Sequence, residues 1–481
     1  MTAQSLKKQT ARGLIWGGVS NGVQQLLNLL FGIVLARLLT EADYGMIGVL
    51  SIFTAVANTL QEGGFIAALA NRRTVTHEDY NAVFWFCLFM GVGMYAILFV
   101  AAPFIARFFG AEELTSLARY LFLSFVLSSL GTAHSAYLFR HLMVKQKAIA
   151  QIPSLLLSGG VGVWMAYHGM SYWGIATQSL LYVGTINLCF WFFAPWRPTL
   201  KIDFRPIREM FGFSSRLLVT NIVLQINNHL LATLLGRLYT KADVGIYTQS
   251  GKWTVMGSTL IGGMVHSVAQ PVLAEVGSEK ERQQYVWRKM LRFTAFLSFP
   301  SMLGLALIAE EFITITITEK WAACIPILQI LCVWGAFLPI VQLCSNFVLS
   351  MKKSQAYMWS ILTQCVLQLC VMSVAYPYGI HTMVQVYVWV NLLWLGGWMY
   401  VVCKYAGLKW WTAWKDILPF ALIAAATMVL THYLTETIEN VYWLLICKVL
   451  IAASLYGIAM SIGGVVIWKE IWAYLCKKQR V

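Results

Sequence analysis

Charged residues are scarce in this sequence. Only 11% of its 481 residues are Asp, Glu, Lys or Arg, and 59% are hydrophobic, whereas soluble domains carry roughly 25% charged residues. This scarcity excludes a soluble globular protein and a disordered chain. The net charge of +15 is spread over short clusters between apolar runs, without the continuous basic stripe typical of nucleic-acid binding. We therefore expect no nucleic-acid partner.

Several sequence signatures of enzymes are also missing. The ten cysteines include no Cys-x-x-Cys pair, which argues against a disulfide framework and against a metal site. No Gly-x-x-x-x-Gly-Lys motif is present to bind the phosphates of ATP. No stretch between the apolar runs is long enough to hold a catalytic domain. We expect neither an enzyme nor a bound cofactor.

Long apolar runs fill most of the chain. Such runs can cross a hydrocarbon layer of about 30 Å as helices, and the short alternating segments of a membrane barrel are absent. The sequence therefore predicts an all-α polytopic membrane protein with about 14 transmembrane helices. The predicted spans are 14–39, 44–70, 80–104, 114–138, 150–168, 171–194, 209–236, 244–270, 290–309, 322–350, 354–376, 380–403, 416–433 and 442–468.

The basic residues indicate how these spans are oriented, because short loops rich in Lys and Arg remain in the cytoplasm. With the N-terminus inside, most of the 35 basic residues are cytoplasmic, including those of the C-terminal tail. The opposite loops then hold only Arg37, Arg107, Arg119, Arg237, Lys241 and Lys320. We expect a multi-pass protein with both termini in the cytoplasm.

The sequence contains an internal repeat at an offset of 200 residues. Residues 35–45 and 235–245 are identical at seven of eleven positions. Matches at scarce polar positions are not a product of hydrophobic bias, and the amides recur in pairs: Asn21 with Asn221, Gln25 with Gln225, and Asn28 with Asn228. Both copies begin on the same side of the membrane. This predicts two six-helix lobes related by a parallel pseudo-twofold axis, followed by a C-terminal helix pair.

The repeat also predicts the domain boundaries. We expect an N-terminal lobe at 1–194, a cytoplasmic linker rich in Pro and Arg at 195–208, and a C-terminal lobe at 209–403. The last two spans and a basic tail occupy 404–481. We expect the protein to be a monomer.

One segment carries a family resemblance. The sequence ARLLTEADYGMIGV at 36–49, after a span that contains Asn and Gln, resembles the polysaccharide-transport branch of the multidrug/oligosaccharidyl-lipid/polysaccharide exporter superfamily. The likeness is to bacterial flippases for lipid-linked O-antigen, colanic-acid or teichuronic-acid repeat units.

The resemblance implies a function in the bacterial cytoplasmic (inner) membrane, among membrane lipids. It implies that a polyprenyl-pyrophosphate-linked oligosaccharide crosses the bilayer by alternating access, for the synthesis of lipopolysaccharide O-antigen, capsule or exopolysaccharide. A coupling ion, proton or sodium, or the flux of substrate would drive the exchange.

Six amides are the first candidates for contact with such a cargo. Polar side chains that face lipid are expensive, so we expect them to point inward. The spacing i, i+4 and i+7 places the amides of each repeat copy on one helical face: Asn21, Gln25 and Asn28 on span 1, and Asn221, Gln225 and Asn228 on span 7. The alternative is interhelical hydrogen bonding, worth about 0.6–2 kcal/mol. Three amides in line favour a wall that faces a sugar.

Spans 2 and 8 carry further candidates. Asn58 and Glu62 share a face of span 2 with Ser51, and a face of span 8 carries Lys252, Thr259 and His266. A charged side chain near the centre of a helix costs about 2.5–3.5 kcal/mol, so Lys252 requires an explanation. It attracts pyrophosphate, pairs with Glu62, or extends to the outer headgroups.

One arginine and three histidines are less constrained by the sequence. Arg216, near the cytoplasmic end of span 7, either binds phosphate oxygens or extends to headgroups. Three intramembrane histidines titrate in the range useful for proton coupling, namely His134, His229 and His266. Only His266 shares a face with Lys252, and a lone membrane histidine is more often a hydrogen-bond partner.

Two predictions concern structure rather than cargo. The segments beginning at Thr40 and Thr240 are expected to form matched corners in which Thr or Asp caps the next helix, with a glycine that permits close packing. Lys448, near the outer end of span 14, is expected to anchor the helix at the lipid headgroups.

Three alternative functions remain open, and one of them is a structural role such as scaffolding a synthesis complex. A multidrug exporter of the same superfamily needs an acidic cation site, and Glu62 beside Lys252 suits organic cations poorly. A membrane glycosyltransferase or polymerase needs an acid/base or metal constellation. The acids of the outward loops form no evident constellation in the sequence: Glu112, Glu113, Glu310, Glu311, Glu319, Glu436 and Glu439.

Overall fold

The fold was derived from a computed structural model. It describes residues 3–62, 69, 72, 74–141, 143–275, 280–351 and 353–462, and within them all side chains except those of 3–19, 57, 60–62, 209–217, 264–275, 280 and 354. Over these ranges every long element is an α-helix and no strand occurs. The predicted all-α fold is confirmed.

The helices fall into two compact units, Met1–Gly245 and Ile246–Val481. These units are defined by packing. The lobes 1–194 and 209–403 and the linker 195–208 are defined by the sequence repeat, and they stay a prediction.

Among the described residues, seven helices lie within the first unit, and an eighth begins there and continues into the second. They are α1 (Ala3–Leu38), α2 (Glu41–Glu62), α3 (His77–Phe108), α4 (Leu114–Arg140), α5 (Val144–Tyr167), α6 (Trp173–Phe193), α7 (Arg205–Leu238) and α8 (Lys241–Glu275).

Pairs of neighbouring helices build the first unit. α3 packs on α4 and α5 on α6, while α1 lies against α5 and α2 against α7. Tyr80, Phe84 and Trp196 belong to one buried aromatic cluster of this unit. α3 begins with a capping box in which the Thr76 N–H donates to Asp79 at 2.9 Å and the Asp79 N–H donates back to Thr76 Oγ1.

The second unit continues with α9 (Lys280–Leu307), α10 (Ala309–Ile317), α11 (Cys324–Gly335), α12 (Leu338–Ser350), α13 (Ser354–Ala375), α14 (Ile380–Ala406), α15 (Trp410–Thr435) and α16 (Val441–Ile462). α9 packs on α15, α13 on α14 and α10 on α16. Trp287, Phe299 and Phe347 are fully buried in its core. Gly407 ends α14 in the left-handed conformation, which glycine adopts without steric strain.

The predicted span 322–350 is interrupted rather than continuous. α11 ends at Gly335 and α12 begins at Leu338, because Pro339 lacks the N–H that a helix would bond to the carbonyl four residues earlier. Ser298 Oγ on α9 donates to the Ala336 carbonyl at 2.7 Å. A hydroxyl group thus satisfies a carbonyl at the break.

The described residues contain 11 helices or helix pairs that are long and apolar enough to cross a membrane. Each coincides with one of the predicted spans. The other three predicted spans fall on α1, α2 and α8, the helices that carry most of the candidate polar residues. Fourteen crossings therefore stay a prediction.

Candidate functional site

The internal repeat is visible in the helix boundaries. α1 ends at Leu38 and α7 at Leu238, and the next helices begin at Glu41 and Lys241. The offset of the sequence repeat is thus kept in the backbone.

The two corners are capped by the same hydrogen bonds. The Thr40 hydroxyl donates to Asp43 Oδ2 at 2.7 Å and its N–H donates to the same oxygen at 2.8 Å. At the second corner, the Thr240 hydroxyl and N–H donate to Asp243 Oδ2 at 2.7 and 3.1 Å. The predicted corner structure is confirmed, because both residues of each pair take part in the cap.

The two corners also contact each other. A Cβ atom added to Gly45 would collide with the main-chain carbonyl of Lys241, and one added to Gly245 would collide with that of Glu41. The contact is reciprocal, since each glycine meets the first residue of the helix that follows the other corner. It places equivalent residues of the two repeat copies side by side within the first unit.

Polar contacts surround this junction. Lys241 Nζ lies 3.3 Å from Glu113 Oε2, and the Arg237 guanidinium lies 5.3 Å from the ring centroid of Phe108. Ser171 donates a hydrogen bond to Asp43 from a backbone with φ of 50°. The turn between α5 and α6 is thus tied to the first corner.

The three amides of α1 have no hydrogen-bond partner among the described residues. Asn21 and Asn28 are exposed and Gln25 is half-buried, and none of them hydrogen-bonds to another described residue. By contrast, Gln24 Nε2 donates to Gln151 Oε1 on α5 at 2.6 Å. The face that packs on α5 is therefore next to the predicted amide face and distinct from it.

The amides of α7 repeat this arrangement. Asn221 and Asn228 are exposed and Gln225 is half-buried, again without a hydrogen bond to any residue that the structure describes. His229 on the same helix lies 3.0 Å, Nδ1 to Oγ, from Ser51 on α2. This histidine is a hydrogen-bond partner that links α2 to α7.

The remaining candidates divide into described and undescribed side chains. Asn58 on α2 and Thr259 and Lys252 on α8 are exposed. The Lys252 ammonium lies 5.9 Å from the ring centroid of Trp253, and no described carboxylate pairs with it. The side chains of Glu62, Arg216 and His266 lie outside the described residues, so the pairing of Glu62 with Lys252 stays a prediction.

Lys448 is not a headgroup anchor, contrary to the sequence-based expectation. Its side chain is buried and forms an ion pair with Glu311 on α10, which is buried as well. A buried charge requires a partner of opposite charge, and this requirement outweighs the tendency of a terminal Lys to reach the headgroups. The sequence did contain a signal for such an ion pair, because Lys448 places a charge within an apolar run.

Two further polar clusters were missed in the sequence. Asn391 Oδ1 on α14 accepts hydrogen bonds from Gln364 and Gln368 on α13 at 2.8 and 2.9 Å. Asp416 on α15 pairs with Arg288 and Arg292 on α9 at 2.6 and 2.5 Å. The i, i+4 spacing of each pair, Gln364 with Gln368 and Arg288 with Arg292, was a signal for a shared face.

The amides of α1 and α7 define what these two helix faces can do chemically. Each offers a carbonyl acceptor and two N–H donors, which match the hydroxyl groups of a sugar. The described side chains contain no group of three or more His, Cys, Asp or Glu placed to hold a metal ion. Each face is suited to reversible binding of a polar, uncharged molecule.

Comparison with known proteins identifies relatives of this chain. Residues 34–326 match the family described as polysaccharide biosynthesis protein. The teichuronic acid biosynthesis protein TuaB of Bacillus subtilis is 26% identical over 336 residues, which are 69% of each chain. The lipopolysaccharide biosynthesis protein WzxC of Escherichia coli is 25% identical over 341 residues, covering 69% of this chain and 68% of WzxC.

The fold is shared with a solved membrane transporter. The lipid II flippase MurJ in an inward closed conformation superimposes with a TM-score of 0.76 at 16% identity, covering 93% of this chain and 98% of MurJ. At this identity the match shows the fold alone. Together with the apolar helices, it shows that this is a multi-pass membrane protein. Since the family match covers more than half of the sequence, the chain belongs to the polysaccharide biosynthesis protein family.

Proposed function

We propose that this protein is a flippase that translocates a polyprenyl-pyrophosphate-linked oligosaccharide across the bacterial cytoplasmic membrane. Membership in the polysaccharide biosynthesis protein family carries the proposal. Relatives named for teichuronic acid and lipopolysaccharide synthesis and a fold shared with a lipid II flippase support the same substrate class.

The six amides of α1 and α7 are proposed to bind the sugar. Asn21, Gln25 and Asn28 and their counterparts at 221, 225 and 228 are polar groups without described partners in an apolar protein. Polar groups within a bilayer are normally hydrogen-bonded, so amides without a described partner indicate contact with water or with a polar cargo. Hydroxyl groups of the oligosaccharide would exchange with that water during transport.

The cationic side chains are proposed to bind the pyrophosphate. Lys252 is exposed and has no described carboxylate partner, so its charge is available to an anion. Arg216 would contribute a second positive charge at the cytoplasmic mouth. The polyprenyl tail would remain in lipid, because moving an apolar chain through a polar cavity brings no gain.

Alternating access between the predicted lobes completes the proposal. A proton or sodium gradient, or substrate flux, would supply the energy, with Asn58, Glu62, Thr259 and His266 lining the same path. The protein would act as a monomer with both termini in the cytoplasm. It would return its substrate chemically unchanged.

Reconstitution into liposomes tests this function directly. A fluorescent polyprenyl-pyrophosphate-linked oligosaccharide placed in one leaflet becomes accessible to a membrane-impermeant quencher from the other side only after flipping. We expect the protein to accelerate this exchange without ATP, and the recovered lipid to have its original mass.

The same vesicles separate the alternatives. An unaccelerated exchange would refute the flippase. Efflux of an organic cation without any movement of the lipid-linked sugar would indicate a drug exporter, and a recovered lipid with a longer glycan would indicate a polymerase. Empty liposomes and liposomes with heat-denatured protein are the controls.

A further inference from the structure

Basic side chains gather at one end of the second unit, where α9 begins, α14 ends and α15 begins. Gln284 Nε2 on α9 donates to the Ala406 carbonyl oxygen at 2.7 Å, so the start of α9 is tied to the end of α14. Residues 281–292 and 404–416 contain seven Lys or Arg and two Asp or Glu. The fold thus brings two separate basic segments together.

One buried carboxylate holds two guanidinium groups in this region. Asp416 accepts two hydrogen bonds from Arg288, at 2.6 and 3.0 Å, and Arg292 Nε donates to it at 2.7 Å. The Asp416 side chain is 4% exposed, whereas those of Arg288 and Arg292 are 34% and 39% exposed. One negative charge thus faces two positive charges, and the excess positive charge remains partly accessible.

The two guanidinium groups keep donors for a second anion. A guanidinium has five N–H donors in a fixed planar fork, which matches the oxygens of a carboxylate or a phosphate. The Nη1 atom of each arginine has no acceptor among the described residues. Since Asp416 is already bonded to the other nitrogens, these donors are available to an anion from outside the protein.

Exposed lysines lie next to this cluster. Lys404 is in the last turn of α14, Lys409 directly precedes α15, and Lys415 is in the second turn of α15. All three are exposed, and no described carboxylate pairs with them. Together with Arg288 and Arg292 they form what we call the basic surface. Charges of one sign held together attract ions of the opposite sign, so this surface attracts anions.

The exposed face of α15 indicates which kind of anion fits. Four exposed residues share this face through the spacing i, i+4, i+7 and i+11: Trp411, Lys415, Leu418 and Leu422. An aromatic ring, a cation and two aliphatic side chains thus follow one another along the helix. Trp and Tyr collect at the level of the lipid headgroups. The cation therefore lies where a phospholipid carries its phosphate.

α9 presents the same order of side chains. Tyr285, Lys289 and Phe293 are exposed and recur at i, i+4 and i+8, so they share one helical face. α9 packs on α15, and both helices begin at the basic surface. A soluble acidic protein or a nucleic acid would leave the apolar side chains without a partner, whereas a phospholipid matches both the cations and the apolar residues.

We propose that the basic surface binds the headgroup of an anionic phospholipid of the phosphatidylglycerol class. The phosphate accepts hydrogen bonds from the guanidinium groups and lies close to the lysines, and the acyl chains lie along Leu418 and Leu422. Basic pockets between transmembrane helices recognise anionic headgroups in this way. A zwitterionic phospholipid has the same phosphate, but the excess positive charge of the surface repels its choline or ethanolamine group.

Lipid retention measures this binding without any transport step, so its outcome is independent of the proposed flippase activity. The full-length protein is placed in nanodiscs with equal amounts of phosphatidylglycerol, phosphatidylethanolamine and phosphatidylcholine, and the retained lipids are counted by native mass spectrometry. We expect phosphatidylglycerol to be retained about tenfold over each zwitterionic lipid. Equal retention of the three lipids would overturn the proposal.

Two variants locate the binding. Lys409→Gln with Lys415→Gln removes two exposed charges and should reduce the preference at least about threefold. Arg292→Gln leaves Asp416 paired with Arg288, so no buried charge is left alone, and it should reduce the preference to a similar extent. A preference that survives either variant in full would contradict the assignment.

Lys320→Gln is the matched control. Lys320 is an exposed lysine of the same unit, but it follows α10 and lies beyond the opposite end of α9. This variant should keep the full preference for phosphatidylglycerol. An equal loss in the control would show a general effect of net charge and would refute a site at the basic surface.

Soluble anions distinguish a lipid site from a site for free phosphate. Inorganic phosphate should displace phosphatidylglycerol no more than sodium chloride of equal ionic strength does, because apolar contacts of the acyl chains contribute to lipid binding. Displacement by phosphate at a concentration where sodium chloride has no effect would show a site for a free anion and would overturn the proposal.

Discussion

Gln24 Nε2 lies 2.6 Å from Gln151 Oε1, and this hydrogen bond joins α1 to α5. The next residue, Gln25, has no hydrogen bond to any part of the chain that the structure describes. Two neighbouring glutamines therefore have different surroundings, one in a helix contact and one without a described partner. Substituting each in turn separates packing from transport.

Gln24→Leu should lower the free energy of unfolding by about 0.5–1.5 kcal/mol, because it removes a hydrogen bond between helices. Gln25→Leu should leave stability within about 0.5 kcal/mol and slow flipping. Thermal unfolding in detergent and the liposome exchange assay measure the two effects. A stability loss in Gln25→Leu equal to that in Gln24→Leu would show that Gln25 serves packing.

The paired amides allow a test of a shared cavity. Asn21→Leu combined with Asn221→Leu should impair surface glycan display more than either change alone, because both amides are predicted to face one sugar. Normal display in the double variant, at unchanged protein level, would favour a role outside the transport path.

Lys252 tests the role of positive charge. Lys252→Ala should slow transport of the pyrophosphate-linked substrate by about tenfold or more, equivalent to 1.4 kcal/mol, with the protein level unchanged because no described carboxylate loses a partner. Lys252→Arg keeps the charge and should retain most of the rate. Full activity in Lys252→Ala would show that the charge is not used.

The corner glycines predict a steric effect on stability. Gly245→Ala places a methyl group against the Glu41 carbonyl and should cost about 1–3 kcal/mol through displacement of the backbone. Gly251→Ala on the same helix meets nothing within 4 Å and should be neutral or stabilising by up to about 1 kcal/mol. Equal melting temperatures for the two variants would argue against a close contact.

The ion pairs predict that the loss of a buried charge lowers stability more than the loss of an exposed one. Asp416→Asn should cost about 1.5–3 kcal/mol, because the buried carboxylate accepts charged hydrogen bonds from Arg288 and Arg292. Glu113→Gln removes an exposed pair with Lys241 and should cost less than about 1 kcal/mol. Thermal unfolding at low and high salt measures both losses of stability. A larger loss for Glu113→Gln would contradict the argument from burial.

Local features of the fold followed from the sequence. The spans that match observed helices are set by the thickness of the hydrocarbon layer, and the corners at Thr40 and Thr240 by short-range capping. The break at Pro339 lay within a run of uniform hydrophobicity, so hydropathy did not reveal it. The repeat predicted equivalent helix ends because matched polar residues impose matched local structure.

Contacts between distant residues did not follow from the sequence. Glu311 and Lys448 form an ion pair although 137 positions separate them in the sequence. Gln364 and Asn391 are hydrogen-bonded across 27 positions. Periodicity assigns a residue to a face of its own helix, but the partner of that face depends on how helices pack.

The reciprocal contact of Gly45 and Gly245 has an evolutionary consequence. If the two repeat copies descend from one gene, this contact corresponds to a self-complementary interface between two identical subunits. A glycine that allowed close approach in such a homodimer would be required twice after duplication and fusion. The single chain would then preserve, at these two corners, the seam along which two ancestral half-length proteins once dimerised.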